Sequence, residues 1–379
     1  MNVNGQATRP LKGDAQRGTL QVIDQRALPH QLQWRPLGSA RDAFVAIREM
    51  WVRGAPLIGA VAAYGLAMQA RRDASDEALA NAAQLLRGAR PTAVNLAWAL
   101  ARMQACLQPL PVAQRAEAAW AAADALAEDD VRINHAIGQH GLLLLRGIAA
   151  GLKEQGVVVS AQRPLQILTH CNAGWLATVD WGTATSPIYQ AHAAGLPVHV
   201  WVDETRPRNQ GASLTAWELA QAGVPHTLVA DNAGGHLMQH GQVDLCIVGC
   251  DRVTAQGDTC NKIGTYLKAL AAKDNGVPFY VAMPTPTLDL SLRNGLQDVP
   301  IEERSAREVT HISGRTAAGQ VVEVQLTADG CAAANPAFDV TPARLVTAFI
   351  TEHGVVLPEE AALRQLKPTP ASLAGSAAS

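Results

Sequence analysis

Two segments concentrate side chains able to move protons: "THCNAGWLAT" at residues 169–178 and "VGCDRVTAQGDTCNKIGT" at residues 248–265. In the first, Cys171 follows an apolar run and enters a Cys-Asn-Ala-Gly turn. A thiolate is a nucleophile and a base, whereas a thiol inside a core is only a small hydrophobe. In the second, Asp251 follows an apolar run, with Val248 and Val253 nearby. Desolvation disfavours the anion, so such a carboxyl is expected to keep its proton near neutral pH and to serve as a general acid. A helix cap or an ion pair with Arg252 is the competing reading. His170 adjoins Cys171, but successive side chains on a strand point to opposite faces. Asp251 is therefore the better partner for the thiol.

Anion-binding chemistry surrounds these two groups. "DTCNKIGT" reads as the start of a helix, where unpaired backbone N–H groups and Lys262 favour a phosphate monoester and Asn261 adds donors. "RGAPLIGAVAAYG", residues 53–65, places Arg53 before Gly54, Ala55 and a helix opened by Pro56. Small residues let a ligand approach the backbone, and an arginine forks onto phosphate oxygens. Arg90 precedes "PTAVNL" in the same way, with Pro91 opening the helix. In "DETRPRNQGASLTAWEL", residues 203–219, the amide of Gln210 suits hydroxyl groups. Each segment alone is equally explained as an exposed turn, a helix joint or a solvated loop. No G-x-G-x-x-G follows a strand and no G-x-x-x-x-G-K-[ST] occurs, so dinucleotides and nucleoside triphosphates find no support.

These residues need a frame. The chain of 379 residues is 48% hydrophobic and 17% charged, a globular composition long enough for two domains. Residues 40–152 carry helical periodicity, including a long run over 113–152. Before them, "LQVIDQ" and "QLQWR" alternate as a small hairpin would. After residue 155, five apolar runs, "LQILTH", "PVHVWVDE", "HTLVA", "DLCIVGC" and "PFYVAMP", alternate with helical stretches. That alternation predicts an α/β chain: a helical N-terminal domain followed by a Rossmann-like, doubly wound parallel sheet. The expected divisions are a mainly helical domain with a small β element over 1–155, a catalytic domain over 156–367 and a disordered tail over 368–379. Residues 1–18 also read as disordered. In an open parallel sheet ligands bind beyond the carboxyl ends of the strands, which brings Cys171 and Asp251 to one rim.

The formal net charge of −2 gives no general attraction to nucleic acid or anionic membrane. The first residues lack the apolar core of a signal peptide, and no apolar stretch is long enough to span a bilayer, so a cytoplasmic location is expected. The six cysteines, Cys106, Cys171, Cys246, Cys250, Cys260 and Cys331, form no C-x-x-C pair and no zinc spacing. Cys246 and Cys250 read as core residues, and all six as free thiols.

In combination, "RGAPLIGA", "ARPTAVNL", "THCNAGWLAT", "DETRPRNQGASLTAWEL", "GCDRVTAQGDTCNKIGTY", "PFYVAMPT", "IEER" and "NPAFDVTP" run in order over residues 53–342. This series resembles the 5-methylthioribose-1-phosphate isomerases of methionine salvage. Their wider fold group includes ribose-1,5-bisphosphate isomerases and regulatory subunits of eukaryotic initiation factor two B. The resemblance implies that Asp251 donates a proton and that Cys171 assists proton movement or stabilises the transition state. It implies substrate contacts from Arg53, Gly54, Ala55, Arg90, Gln210, Asn261 and Lys262, a sugar phosphate substrate, a homodimer, and no metal or organic cofactor. Cys250 and Cys260 stand where the family usually has alanine, Asn209 and Ser213 where it usually has leucine and arginine, and "WGTATSPIY" departs from its "GTAL" run. None of these departures removes a residue given a chemical role.

Overall fold

The computed structural model describes residues 1–90 and 93–366. The expected helix start at Pro91 and the tail 368–379 lie outside the described residues.

The chain opens with two short paired strands, β1 (Asn2–Val3) and β2 (Gln6–Ala7). An antiparallel sheet follows, of β3 (Leu11–Asp14), β4 (Thr19–Ile23) and β5 (Trp34–Leu37). The two alternating runs do pair, as β4 and β5. Residues 1–18, expected to be disordered, instead supply three strands, because Val3 and Leu11 are buried against the rest of the molecule.

Five helices come next: α1 (Ala40–Arg48), α2 (Ala55–Arg72), α3 (Asp76–Arg87), α4 (Val94–Leu107) and α5 (Val112–Glu154). Ser39 caps α1 by accepting from the Asp42 N–H at 3.1 Å, and Ser75 caps α3 by accepting from the Ala78 N–H at 3.3 Å. The alanine-rich α2 lies at the centre, with Leu57, Val61 and Leu66 buried among Leu96, Leu100 and Ala123. At 43 residues, α5 reaches from this bundle to the second half of the chain. Its Gly138 and Gly141 let α6 (Ser186–Ala193) approach closely. A Cβ on Gly141 would lie 2.3 Å from the Pro187 ring.

The second half is built on β6 (Leu165–His170), β7 (Val198–Asp203), α7 (Ala216–Gln221), β8 (His226–Val229), α8 (Ala233–Gln239) and β9 (Leu245–Val248). Then come β10 (Arg252–Thr254), β11 (Thr259–Lys262), α9 (Thr265–Asp274), β12 (Phe279–Ala282) and β13 (Leu288–Asp289). Short helices α10 (Gly295–Asp298) and α11 (Arg307–Thr310) precede a hairpin of β14 (His311–Arg315) and β15 (Val321–Gln325). The last strands are β16 (Phe338–Thr341), β17 (Ala348–Thr351) and β18 (Gly354–Val356).

All five apolar runs are strands of one seven-stranded sheet, in the order β18-β17-β12-β9-β6-β7-β8, parallel except for β18. The two edge-side strands β17 and β18 went unread, because "TAFIT" stands after a long irregular stretch with no helix pattern leading to it. Alternate residues pack to opposite faces: Ile167, Val200 and Leu245 lie with Ile137 and Leu145 of α5, and Leu168, Cys246 and Phe349 with the α8–α9 side. The chain starts at β6, moves outward to β8, then returns to the other side of β6 as β9. The strand order therefore reverses between β6 and β9, the place where open sheets bind ligands. A second sheet has the order β13-β10-β11-β16, and its β10 follows β9 in the chain after three residues.

Candidate active site

Cys171 leaves the end of β6 with φ +66°, a left-handed conformation that costs a non-glycine residue about 1–2 kcal/mol. Two threonines hold it there. The Cys171 N–H donates to the Thr205 hydroxyl at 2.8 Å, and its carbonyl accepts from the Thr215 hydroxyl at 2.6 Å. Asp251 follows β9, its N–H bonded to the Cys260 carbonyl at 2.9 Å. The two residues thus emerge from neighbouring strands at the reversal point and face one narrow cavity of about 40 Å3.

All nine expected site residues line this cavity: Cys171, Asp251, Arg53, Gly54, Ala55, Arg90, Gln210, Asn261 and Lys262. Met50, Arg53 and Gln210 also border an adjoining, wider cavity of about 430 Å3. Gly54 has φ +93°, and a Cβ there would lie 2.3 Å from the Ala177 carbonyl oxygen. Only glycine permits that approach of α2 to the segment after Cys171.

The surroundings set the charge states. Burial pushes the Asp251 carboxyl above the ordinary carboxylate range, against the pull of Lys262, Arg90 and Arg53. Burial also raises the Cys171 thiol, with Arg53 and Lys262 opposing. Lys262 is lowered by burial and held up by Cys171 and Asp251. The shift of Asp251 runs in the direction a general acid needs, and Arg252 pairs with Asp289 at 3.3 Å.

The expected helix start at Asn261 and Lys262 is corrected. Both residues lie on β11, and α9 begins only at Thr265. Two amides at this helix start are already taken: Asp339 accepts from the Gly264 N–H at 2.7 Å and the Tyr266 N–H at 3.2 Å. Lys262 owes its position to strand pairing instead. It sits opposite Phe338 of β16, with its Nζ 4.6 Å from the ring centroid, a cation–π contact. Arg90 borders the cavity through a bond pair, Nε and Nη2 donating to Glu302 Oε2 at 3.1 and 2.8 Å. Cys250, expected in the core with Cys246, is half-buried: it packs against the same cluster as Cys246 and also lines the cavity, because β9 ends before it at Val248.

Sequence reasoning gave no role to Asn172, Glu218, Phe338 or Glu302, although each lies in a quoted motif. Arg53 donates to the Asn172 side-chain carbonyl at 2.5 Å and to its main-chain oxygen at 2.7 Å. Asn172 in turn donates to Glu218 at 3.0 Å. Glu218 also accepts from the Trp175 and Leu176 N–H groups at 3.1 and 2.9 Å and from the Tyr189 hydroxyl at 2.9 Å. One buried carboxylate thus ties α7 to the turn after Cys171 and to Arg53. Gln210 is buried with its Oε1 unpartnered among the described residues, an acceptor available to a hydroxyl.

Comparison with known proteins places this geometry. The family model described as the initiation factor 2 subunit family matches residues 51–358. The chain is 58% identical to a methylthioribose-1-phosphate isomerase of Rhodospirillum rubrum over 381 residues, 100% of this chain and 97% of that protein. It is 58% identical to one of Cereibacter sphaeroides, covering 97% of this chain and 98% of that protein. The chain belongs to the methylthioribose-1-phosphate isomerase branch of the initiation factor 2 subunit family. Among solved structures, 5-methylthioribose 1-phosphate isomerase from Pyrococcus horikoshii matches with TM-score 0.80 and 37% identity, covering 95% of this chain and 96% of that chain. Translation initiation factor eIF-2B, subunit delta, from A. fulgidus matches with TM-score 0.75 and 37% identity, covering 95% and 99%. No described helix of this family member is long and apolar enough to cross a membrane.

Proposed function

We propose that the chain converts 5-methylthioribose 1-phosphate to 5-methylthioribulose 1-phosphate in methionine salvage. The observation that carries this reading is the convergence of an acid, a thiol and three cations on one cavity at the sheet's reversal point. The relatives at 58% identity bear the name of that reaction.

A phosphate on the anomeric oxygen leaves the substrate without a carbonyl, so the ring must open first. Asp251, its carboxyl pushed up by burial, gives a proton to the ring oxygen as the bond from C1 to that oxygen breaks. The C2–H electron pair then moves with its hydrogen to C1, and the proton of the C2 hydroxyl leaves to the Asp251 carboxylate. One proton is given and one recovered, and a ketone remains at C2. The raised thiol of Cys171 supports this hydride shift over an enediolate, which needs a thiolate to take the C2 proton. In D2O the product should carry no deuterium at C1; deuterium there assigns Cys171 as the base.

Arg53, Arg90, Lys262 and Asn261 serve the phosphate, with Gly54 and Ala55 giving it room, and Gln210 serves a sugar hydroxyl. The parts 1–155 and 156–367 are two domains of a cytoplasmic protein, and the resemblance implies a homodimer; sedimentation equilibrium tests the dimer. Turnover of 5-methylthioribose 1-phosphate beside ribose 1,5-bisphosphate tests the reading. Preference for the bisphosphate reassigns the substrate. No turnover of either, with co-purification in a larger assembly, supports the regulatory-subunit reading that the A. fulgidus likeness raises.

A further inference from the structure

His170 is 1% exposed, and its ring bonds to groups other than the Cys171 thiol beside it in sequence. Its ring is held at both ends. Nδ1 lies 2.7 Å from Asp203 Oδ2, and Nε2 lies 2.8 Å from the Ile263 carbonyl oxygen. Lys268 secures the same Asp203 oxygen at 2.9 Å. Asp203 is the register partner of His170 on β7, so this end of the arrangement belongs to the rigid sheet.

The other end belongs to the turn that carries the cation. Ile263 follows Lys262 and precedes Gly264, whose φ is +100°. The ring packs on that glycine, since a Cβ there would lie 3.0 Å from His170 Cε1 and Nε2. A carbonyl oxygen can only accept, so Nε2 must carry a proton.

We propose that His170 is a positioning residue that fixes Asn261 and Lys262 in the cavity, where they serve the phosphate, through the bond from Nε2–H to the Ile263 carbonyl. This rests on the isomerase reading above. Cys171 hangs from the parallel sheet and Lys262 from the separate four-stranded sheet, while Asp251 follows β9 and bonds to the Cys260 carbonyl of β11. The spacing of Cys171 and Lys262 draws on every tether between the two sheets, and His170 supplies one at the end of β6. A site group displaced by about 1 Å can lose about 100-fold in rate, so a tether of this kind has leverage.

Two substitutions separate the ring nitrogens. Glutamine places an N–H donor near the position of Nε2, and asparagine near that of Nδ1. His170→Gln should keep kcat/KM within about 3-fold of wild type, and His170→Asn should lose about 10-fold or more. The asparagine loss should fall mainly in KM, with weaker inhibition by inorganic phosphate. Equal impairment of both variants, or a lower Tm for His170→Asn with unchanged kcat/KM, overturns the proposal. Nitrogen-15 NMR of histidine-labelled wild-type protein decides the tether even if the variants do not fold. A protonated Nε2 on His170 supports it, and a bare Nε2 overturns it. Wild-type protein without isomerase activity would overturn the isomerase reading, and the NMR result would still decide the tether.

Discussion

Replacing Asn172 by alanine tests whether the Arg53 guanidinium must be held as well as present. Arg53 makes two bonds to this residue, one to the side-chain oxygen at 2.5 Å and one to the main-chain oxygen at 2.7 Å. Alanine keeps the second and deletes the first. A hydrogen bond to a charged group contributes about 1.5–3 kcal/mol. Taking about 2 kcal/mol as the lost restraint gives about a 30-fold fall in kcat/KM, at 1.36 kcal/mol per decade. The same change takes a donor from the buried Glu218, so Tm should fall as well. The discriminating assay is a double-mutant cycle with Arg53→Ala, followed by kcat/KM for the sugar phosphate. If Asn172 acts through Arg53, adding Asn172→Ala to Arg53→Ala should cost less than about 3-fold, a coupling above about 1 kcal/mol. Losses that multiply in full, or a single Asn172→Ala variant with normal kcat/KM, would refute the reasoning.

Further outcomes follow from the same geometry. Cys171→Ala and Asp251→Asn should each lower turnover by about 100-fold or more while circular dichroism stays native; near-normal turnover removes the role of that residue. Gly54→Ala should lower Tm sharply, since the new Cβ meets the Ala177 carbonyl at 2.3 Å and φ is +93°; an unchanged Tm contradicts the packing. Burial raises Asp130 from 3.8 to about 7, so the folded state binds more protons than the unfolded state between these values. Its contribution to stability is therefore present below pH 3.8 and is lost as pH rises through about 7. Denaturant titrations should show wild type losing stability relative to Asp130→Asn across that window, and a difference independent of pH would reject the shift.

Much of the fold was legible because its local signals agree. The five apolar runs, the helical periodicity of 40–152 and the Pro56 helix start each became the expected element. Cys171 and Asp251 were legible for a related reason: both follow apolar strands, and a parallel sheet gathers strand ends on one rim. The failures are equally local. Residues 1–18 carry no run strong enough to read as strands, yet Val3 and Leu11 find burial at distant partners. "DTCNKIGT" looks like a helix start, yet β16, about eighty residues later, pairs with it and makes it a strand.

The sequence by itself determined the alternation of strand and helix, the acid and thiol after two strands, and the set of cations within reach of an anion. Tertiary structure decided the strand order, which sets β6 beside β9 and so Cys171 near Asp251. It also decided the partners: Asp339 on the α9 amides, Glu302 on Arg90, Phe338 under Lys262, and Glu218 behind Asn172 and Arg53. Periodicity along a chain reports which face of an element is apolar. It carries no information on which distant element will satisfy a buried donor, because that bond is set by packing between segments far apart in sequence.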